Sequence, residues 1–145
     1  MSARQFSTFF VSNRLYGIDV MSVQEITKLI SATKVPLAPS FVHGLINLRG
    51  QIATAVGLRE LFELNDSAST SAIEPMNVVC KGEGMLLSLL VDQIGDVIEV
   101  DEKNFEATPE TITPSVGRFM QGVYKIPGSL LSIIDVKKIV DVLNK

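Results

Sequence analysis

The sequence predicts a mainly-β protein made of two related halves, and three observations carry that reading. Short apolar stretches alternate with a period of two and are bounded by turn residues. One strand–turn–strand–helix pattern occurs twice in the same order. Where the period shifts to three and four, the apolar stripes last only a turn or two, too short for a helical architecture. About ten short strands and two or three short helices are expected.

Taken in order, Phe6 to Val11 and Leu15 to Val20 read as strands around a turn at Ser12-Asn13-Arg14. Leu45 to Arg49 alternates, with Ile46 and Leu48 on one face and Leu45, Asn47 and Arg49 on the other. Gly50-Gln51 reads as its turn and Ile52 to Val56 as the returning strand. Leu58, Leu61 and Phe62 then stand at helical spacing, with Gly57 as a weak N-cap. Asn65 to Glu74, rich in Ser, Ala, Thr and Asp, reads as a joining loop. Asn77 to Cys80 and Met85 to Val91 flank a turn at Lys81-Gly82-Glu83-Gly84, and Glu106 to Pro114 is a second loop. Val136, Ile139, Val140 and Leu143 make the last helical stripe, capped by Asp135.

The repeat is gap-free. Gly44 to Phe62 lies over Gly122 to Val140 at an offset of 78, and only Gly44/Gly122 and Gly50/Gly128 are identical. Most other positions agree in kind: Leu48/Ile126, Ile52/Leu130, Thr54/Ser132, Val56/Ile134 and Leu61/Ile139. A weaker match sets Tyr16 to Val20 over Leu87 to Val91 at an offset of 71. The expected division is one domain over 1–145, with a first subdomain at about 14–75 and a second at about 76–145. The first strand is not assigned to either.

With 145 residues the chain is one domain in size, large enough to bury a core without disulfides or metal. A mean hydropathy of +0.31 with 20% charged residues is globular, not disordered. A net charge of −3 and a pI near 5.1 argue against nucleic acid or an anionic membrane as the main partner. One cysteine and one histidine leave no disulfide and no thiolate zinc site, so no metal and no cofactor are expected. The N-terminus shows no apolar leader pattern and no stretch is long enough to span a bilayer, so a cytoplasmic protein without membrane insertion is expected.

The catalytic inventory is thin. His43 reads as a loop or surface histidine and Cys80 as a small buried apolar residue. Asp92, Asp96, Glu99, Asp101 and Glu102 read as a solvated strand edge without metal-ligand spacing. Asn47-Leu48-Arg49-Gly50 admits two readings on spacing alone. Either Asn47 hydrogen-bonds the following turn and Arg49 is a surface charge, or Arg49 presents a guanidinium fork to a partner's carboxylate or amide.

Pro36-x-x-Pro39-Ser40-Phe41-x-x-Gly44-Leu-Ile-Asn47-Leu48-Arg49-Gly50-x-Ile52, followed by Leu58-Arg59-x-x-Phe62, resembles the signature of the CheW family of chemotaxis coupling proteins. Tyr16 to Val20 with Val23-Gln24-Glu25-Ile26 resembles its upstream block. Val91-Asp92-x-Ile94-x-Asp96-Val97 and the segments Gly122 to Ile126 and Leu131 to Val136 resemble its second half. The resemblance covers about Phe6 to Leu143. It implies two five-stranded SH3-like β-barrels packed side by side and no catalytic activity. It also implies a bridge between the cytoplasmic hairpin tip of a chemoreceptor and the regulatory domain of the histidine kinase CheA, at receptor arrays on the inner membrane. The positions matching the family's receptor contacts are Val23, Glu25, Gly44 and Arg49; no kinase contact is assigned. Thr54 and Gly57 stand where the family usually carries Pro and Asp.

Two other readings compete. A divergent paralogue in a pilus or gliding system would use the same surfaces. A small-ligand or nucleic-acid-binding β-barrel belongs to another class; acidic charge, the absence of Trp and few aromatics weigh against base stacking.

Overall fold

The computed structural model describes residues 3–64 and 75–144; the expected loop from Asn65 to Glu74 lies outside them. The strands are β1 (Ala3–Val11), β2 (Arg14–Asp19), β3 (Val23–Lys28), β4 (Val42–Leu48), β5 (Gln51–Gly57), β6 (Met76–Gly82), β7 (Met85–Val91), β8 (Gln93–Asp101), β9 (Phe105–Glu106), β10 (Met120–Ile126) and β11 (Ser129–Ile134). Among the described residues three short α-helices accompany them, α1 (Leu58–Leu61), α2 (Pro114–Gly117) and α3 (Val136–Leu143), with single 3-10 turns at Val20–Ser22 and Glu102–Asn104. The mainly-β expectation holds. Two sheets form, ordered β8-β1-β2-β11-β10-β9 and β3-β6-β7-β5-β4. The expected loop from Glu106 to Pro114 is bounded by β9 and α2. Among the described residues no helix is long and apolar enough to cross a membrane.

The sheets do not divide the chain at residues 75 and 76, and the subdomain boundary is corrected accordingly. The N-terminal hairpin β1–β2 lies in the six-stranded sheet with β8 to β11, whereas β6–β7 lies in the five-stranded sheet with β3 to β5. Each half therefore lends its first hairpin to the other. Parallel pairs make the two joints: Tyr16 faces Ser132, and Leu87 faces Thr54. Those pairs are equivalents under the sequence offsets, so the repeat is a structural one. The physical cause lies in β7, where Leu87, Leu89 and Val91 are buried on one face and Ser88 on the other. Such a strand needs neighbours on both edges and cover on both faces, which a central position supplies.

Each sheet turns one face to a small core of its own. In the six-stranded sheet this is Phe6, Val100, Tyr124, Leu131 and Ile133; in the five-stranded sheet it is Ile46, Leu48, Ala53, Ala55 and Val79. The opposite faces meet in a larger shared core. A file of rings runs through it, Phe9–Tyr16–Phe62–Phe119, with centroid separations of 6.2, 5.4 and 6.1 Å. The α1 stripe Leu58, Leu61 and Phe62 and the α3 stripe Val136, Ile139 and Val140 are buried there. The α3 stripe follows β11 but packs on β6 of the other sheet. Asp135 caps it by accepting the Lys138 amide, and Gly57 is the N-cap of α1 without a side-chain bond.

One polar clamp crosses the joint. The Arg59 guanidinium donates to Asp92 at 3.1 and 2.6 Å, and the same carboxylate accepts the Ser12 amide at 2.8 Å. Helix α1, the β7–β8 junction and the β1–β2 turn are thereby tied together.

Candidate functional site

In the five-stranded sheet β3 and β4 are the two edges. The β4–β5 hairpin closes through Arg49 and Gly50, not Gly50-Gln51. Arg49 has φ +50 and Gly50 +91, the backbone of a two-residue loop whose twist matches that of its strands. Arg49 thus sits at the tip, not on the strand face with Asn47. Asn47 accepts the Gly50 amide on its side-chain oxygen at 2.9 Å, so it brackets the turn. A non-glycine residue at positive φ costs roughly 1–2 kcal/mol.

From that tip the Arg49 guanidinium reaches across to β3. Its Nη2 donates to both oxygens of Glu25, at 2.7 Å to Oε2. Gln24 and Gln51 meet alongside at 3.4 Å. These contacts draw one edge of the sheet toward the hairpin at the other. The guanidinium remains 74% exposed while the carboxylate is 22% exposed, so the pair presents its cationic side to solvent. Val23, two residues before Glu25, is half-buried against the shared core, and the ladder bulges between them. Beside the tip, Ile52 is an exposed apolar residue.

Gly44 stands apart, at the other end of β4, roughly 16 Å from Arg49 at the usual strand rise. Its φ is +140, and a Cβ there would run into the Thr33 carbonyl, 2.7 Å from its carbon. The Thr33 and Leu45 backbones exchange two hydrogen bonds of 2.8 Å just there. Gly122 repeats the arrangement against β9. Glu25 and Arg49 are therefore in contact, Val23 adjoins them along β3, and Gly44 is demanded by the backbone.

The remaining reactive groups are engaged structurally. Burial pushes the Cys80 thiol up to about 12, which keeps it protonated and unreactive. His43 lies on β4, not in a loop, and its Nε2 is 3.0 Å from Glu60 across the Gly57 backbone. Asp92 belongs to the clamp with Arg59, and Asp101 accepts the Lys103 amide, so the acidic run along β8 is not one site. Among the described residues no group of three or more His, Cys, Asp or Glu is placed to hold a metal. The sequence reading missed the Gln24–Gln51 contact and the His43–Glu60 pair, which join residues far apart in the chain and show no periodic signal.

The family model for the CheW-like domain matches residues 5–144. The chain belongs to the CheW-like family. The chemotaxis protein CheW of Treponema pallidum is 32% identical over 137 residues, covering 93% of this chain and 81% of that protein. That of Bacillus subtilis is 29% identical, covering 92% and 84%. The crystal structure of the scaffolding protein TtCheW from Thermoanaerobacter tengcongensis superposes with a TM-score of 0.87 at 28% identity, over 99% of this chain and 97% of that one. This CheW-like chain is accordingly a chemotaxis protein of the scaffold class, with its two β subdomains laid out as in that relative.

Proposed function

We propose that this CheW-like protein is a non-enzymatic adaptor that holds a chemoreceptor's cytoplasmic hairpin tip and the regulatory domain of the histidine kinase CheA at the same time. Recruitment to receptor arrays at the inner membrane follows from the first contact. The observation that carries the reading is the Glu25–Arg49 pair: one exposed guanidinium, oriented by a half-buried carboxylate, at the rim of a sheet edge. Val23 and the exposed Ile52 lie near it, so a helical hairpin could set apolar side chains beside the pair and polar groups on Arg49. Gly44 keeps the strand in the bulged form that carries this edge. The contact is small and solvated, so an affinity around micromolar is expected, with signalling strength supplied by multivalency in the array.

The test is direct titration calorimetry of the chain against a receptor hairpin fragment and, separately, against the kinase regulatory domain. Saturable binding to both supports the adaptor. Binding to neither would reject it and leave the paralogue reading, in which a pilus or gliding system supplies the partners.

A further inference from the structure

The segment 29–41, which links β3 to β4, crosses the five-stranded subdomain away from the Arg49 tip. It is held along its length. Ile30 donates its amide to the Asn77 side chain at 3.3 Å, Thr33 bridges to Leu45, and Phe41 accepts the Gly57 amide at 2.9 Å. Ile30 and Ala32 pack against the subdomain's own core. Between these anchor points it walls an open cleft of about 660 Å³, whose apolar lining includes Leu29, Val35, Pro39, Val42, Ile46 and Leu90.

Two features, one beside this cleft and one in its lining, do nothing evident for the fold. The first is Leu37, which stands outside the lining on the turn between the lining residues Val35 and Ala38. It occupies the second central position of the turn closed by the Ala38 amide on the Val35 carbonyl at 3.3 Å. Its φ is +64 and its side chain is fully exposed, so it bears both backbone strain and an apolar group in water. Gly or Asn would hold that turn without either cost. Strain that the fold does not require points to a use. The second feature is charge. In a chain of net charge −3, the ionisable groups lining the cleft among the described residues are Lys34 and His43, with no carboxylate; Glu60 approaches only to pair with His43.

We propose that this cleft docks a segment of a partner protein that carries an apolar anchor flanked by carboxylates. The anchor fills the cleft, a carboxylate meets Lys34, and Leu37 enters a hollow on the partner. A protein segment is the occupant because it alone supplies both the anchor and a receiving surface for Leu37. A small ligand would leave much of itself in water in so open a cleft. The surface is separate from Glu25 and Arg49, so the inference stands whether or not that pair contacts a receptor.

The experiment is selection of a displayed library of random 12-residue peptides on the full chain, followed by titration of the enriched peptides. Enriched peptides are expected to share apolar residues with neighbouring Asp or Glu. Their binding should fall at least tenfold with Leu37→Asn and with Lys34→Glu, and stay unchanged with Arg49→Ala. The melting temperature of Leu37→Asn should not fall, since Asn tolerates that backbone; weaker binding by an equally stable variant separates docking from folding. Peptides that are basic, peptides indifferent to both substitutions, or no enrichment at all would overturn the proposal. So would binding to phosphatidylglycerol vesicles that is lost with the same two substitutions, because the surface would then read lipid.

Discussion

Replacing Arg49 with Ala separates recognition from stability, because the structure fixes both expected magnitudes. The guanidinium is 74% exposed, and an ion pair in that setting contributes about 0–1 kcal/mol. Ala inherits the same positive φ, so the strain of the turn is unchanged and only the pair with Glu25 is lost. For a domain of this size 1 kcal/mol moves the melting temperature by about 2–4 °C, which is then the largest expected drop. Receptor binding should respond more strongly. Loss of a charge-assisted hydrogen bond at a contact costs about 1.5–3 kcal/mol, or roughly 13- to 160-fold in affinity. Binding of the kinase regulatory domain should be largely retained if it uses another face. Titration calorimetry against both partners, with a thermal melt of the same sample, reads all three quantities. A drop well beyond 4 °C with both affinities falling together would refute the reasoning and make Arg49 a brace of the hairpin.

Other expectations follow from the packing. Ile134 is 2% exposed in the shared core, so Ile134→Ala should cost about 2–5 kcal/mol in denaturant unfolding, with one transition by fluorescence and by circular dichroism; two transitions would contradict a core common to both sheets. The Ser88 hydroxyl is fully buried and finds no hydrogen-bond partner among the described residues, so Ser88→Ala should raise stability by about 1 kcal/mol, and a loss would show that the hydroxyl is satisfied. Burial alone would raise the Asp19 carboxyl, but the Arg4 guanidinium at 2.8 Å and the Met21 amide outweigh it and hold the group below its ordinary 3.8. A lowered pKa contributes stability above the unfolded value that is lost as pH falls through the folded one. The gap between wild type and Asp19→Asn should therefore be full near neutrality and close in acid below 3.8, and a gap independent of pH would contradict the assignment.

The glycines show what the sequence could say. The only two identities in the long repeat, Gly44/Gly122 and Gly50/Gly128, are residues of positive φ at a bulge and at a hairpin turn. Backbone geometry admits few substitutes there, while apolar positions such as Leu48/Ile126 exchange freely under the same packing demand. The repeat therefore reported two alike halves but not the exchange of hairpins, since likeness does not record which strand pairs with which. The turn at Arg49-Gly50 was misplaced by one residue because Arg is a poor positive-φ residue and gave no signal. Gly57 is the N-cap as read, but a Cβ there would meet both His43 and Glu60, so its glycine has a packing reason that cap preference does not reveal. The Glu25–Arg49 contact spans 24 residues and leaves no periodic trace; only the family resemblance set those two residues together.

The adaptor claim rests on two partners being held at once, and a ternary titration tests it most directly. The chain is first saturated with the receptor hairpin fragment and then titrated with the kinase regulatory domain. The account expects the kinase domain to bind with an affinity within a few fold of that for the free chain, and a complex of all three to elute together in gel filtration. Displacement of the receptor fragment by the kinase domain would contradict it, because one shared surface cannot bridge two partners.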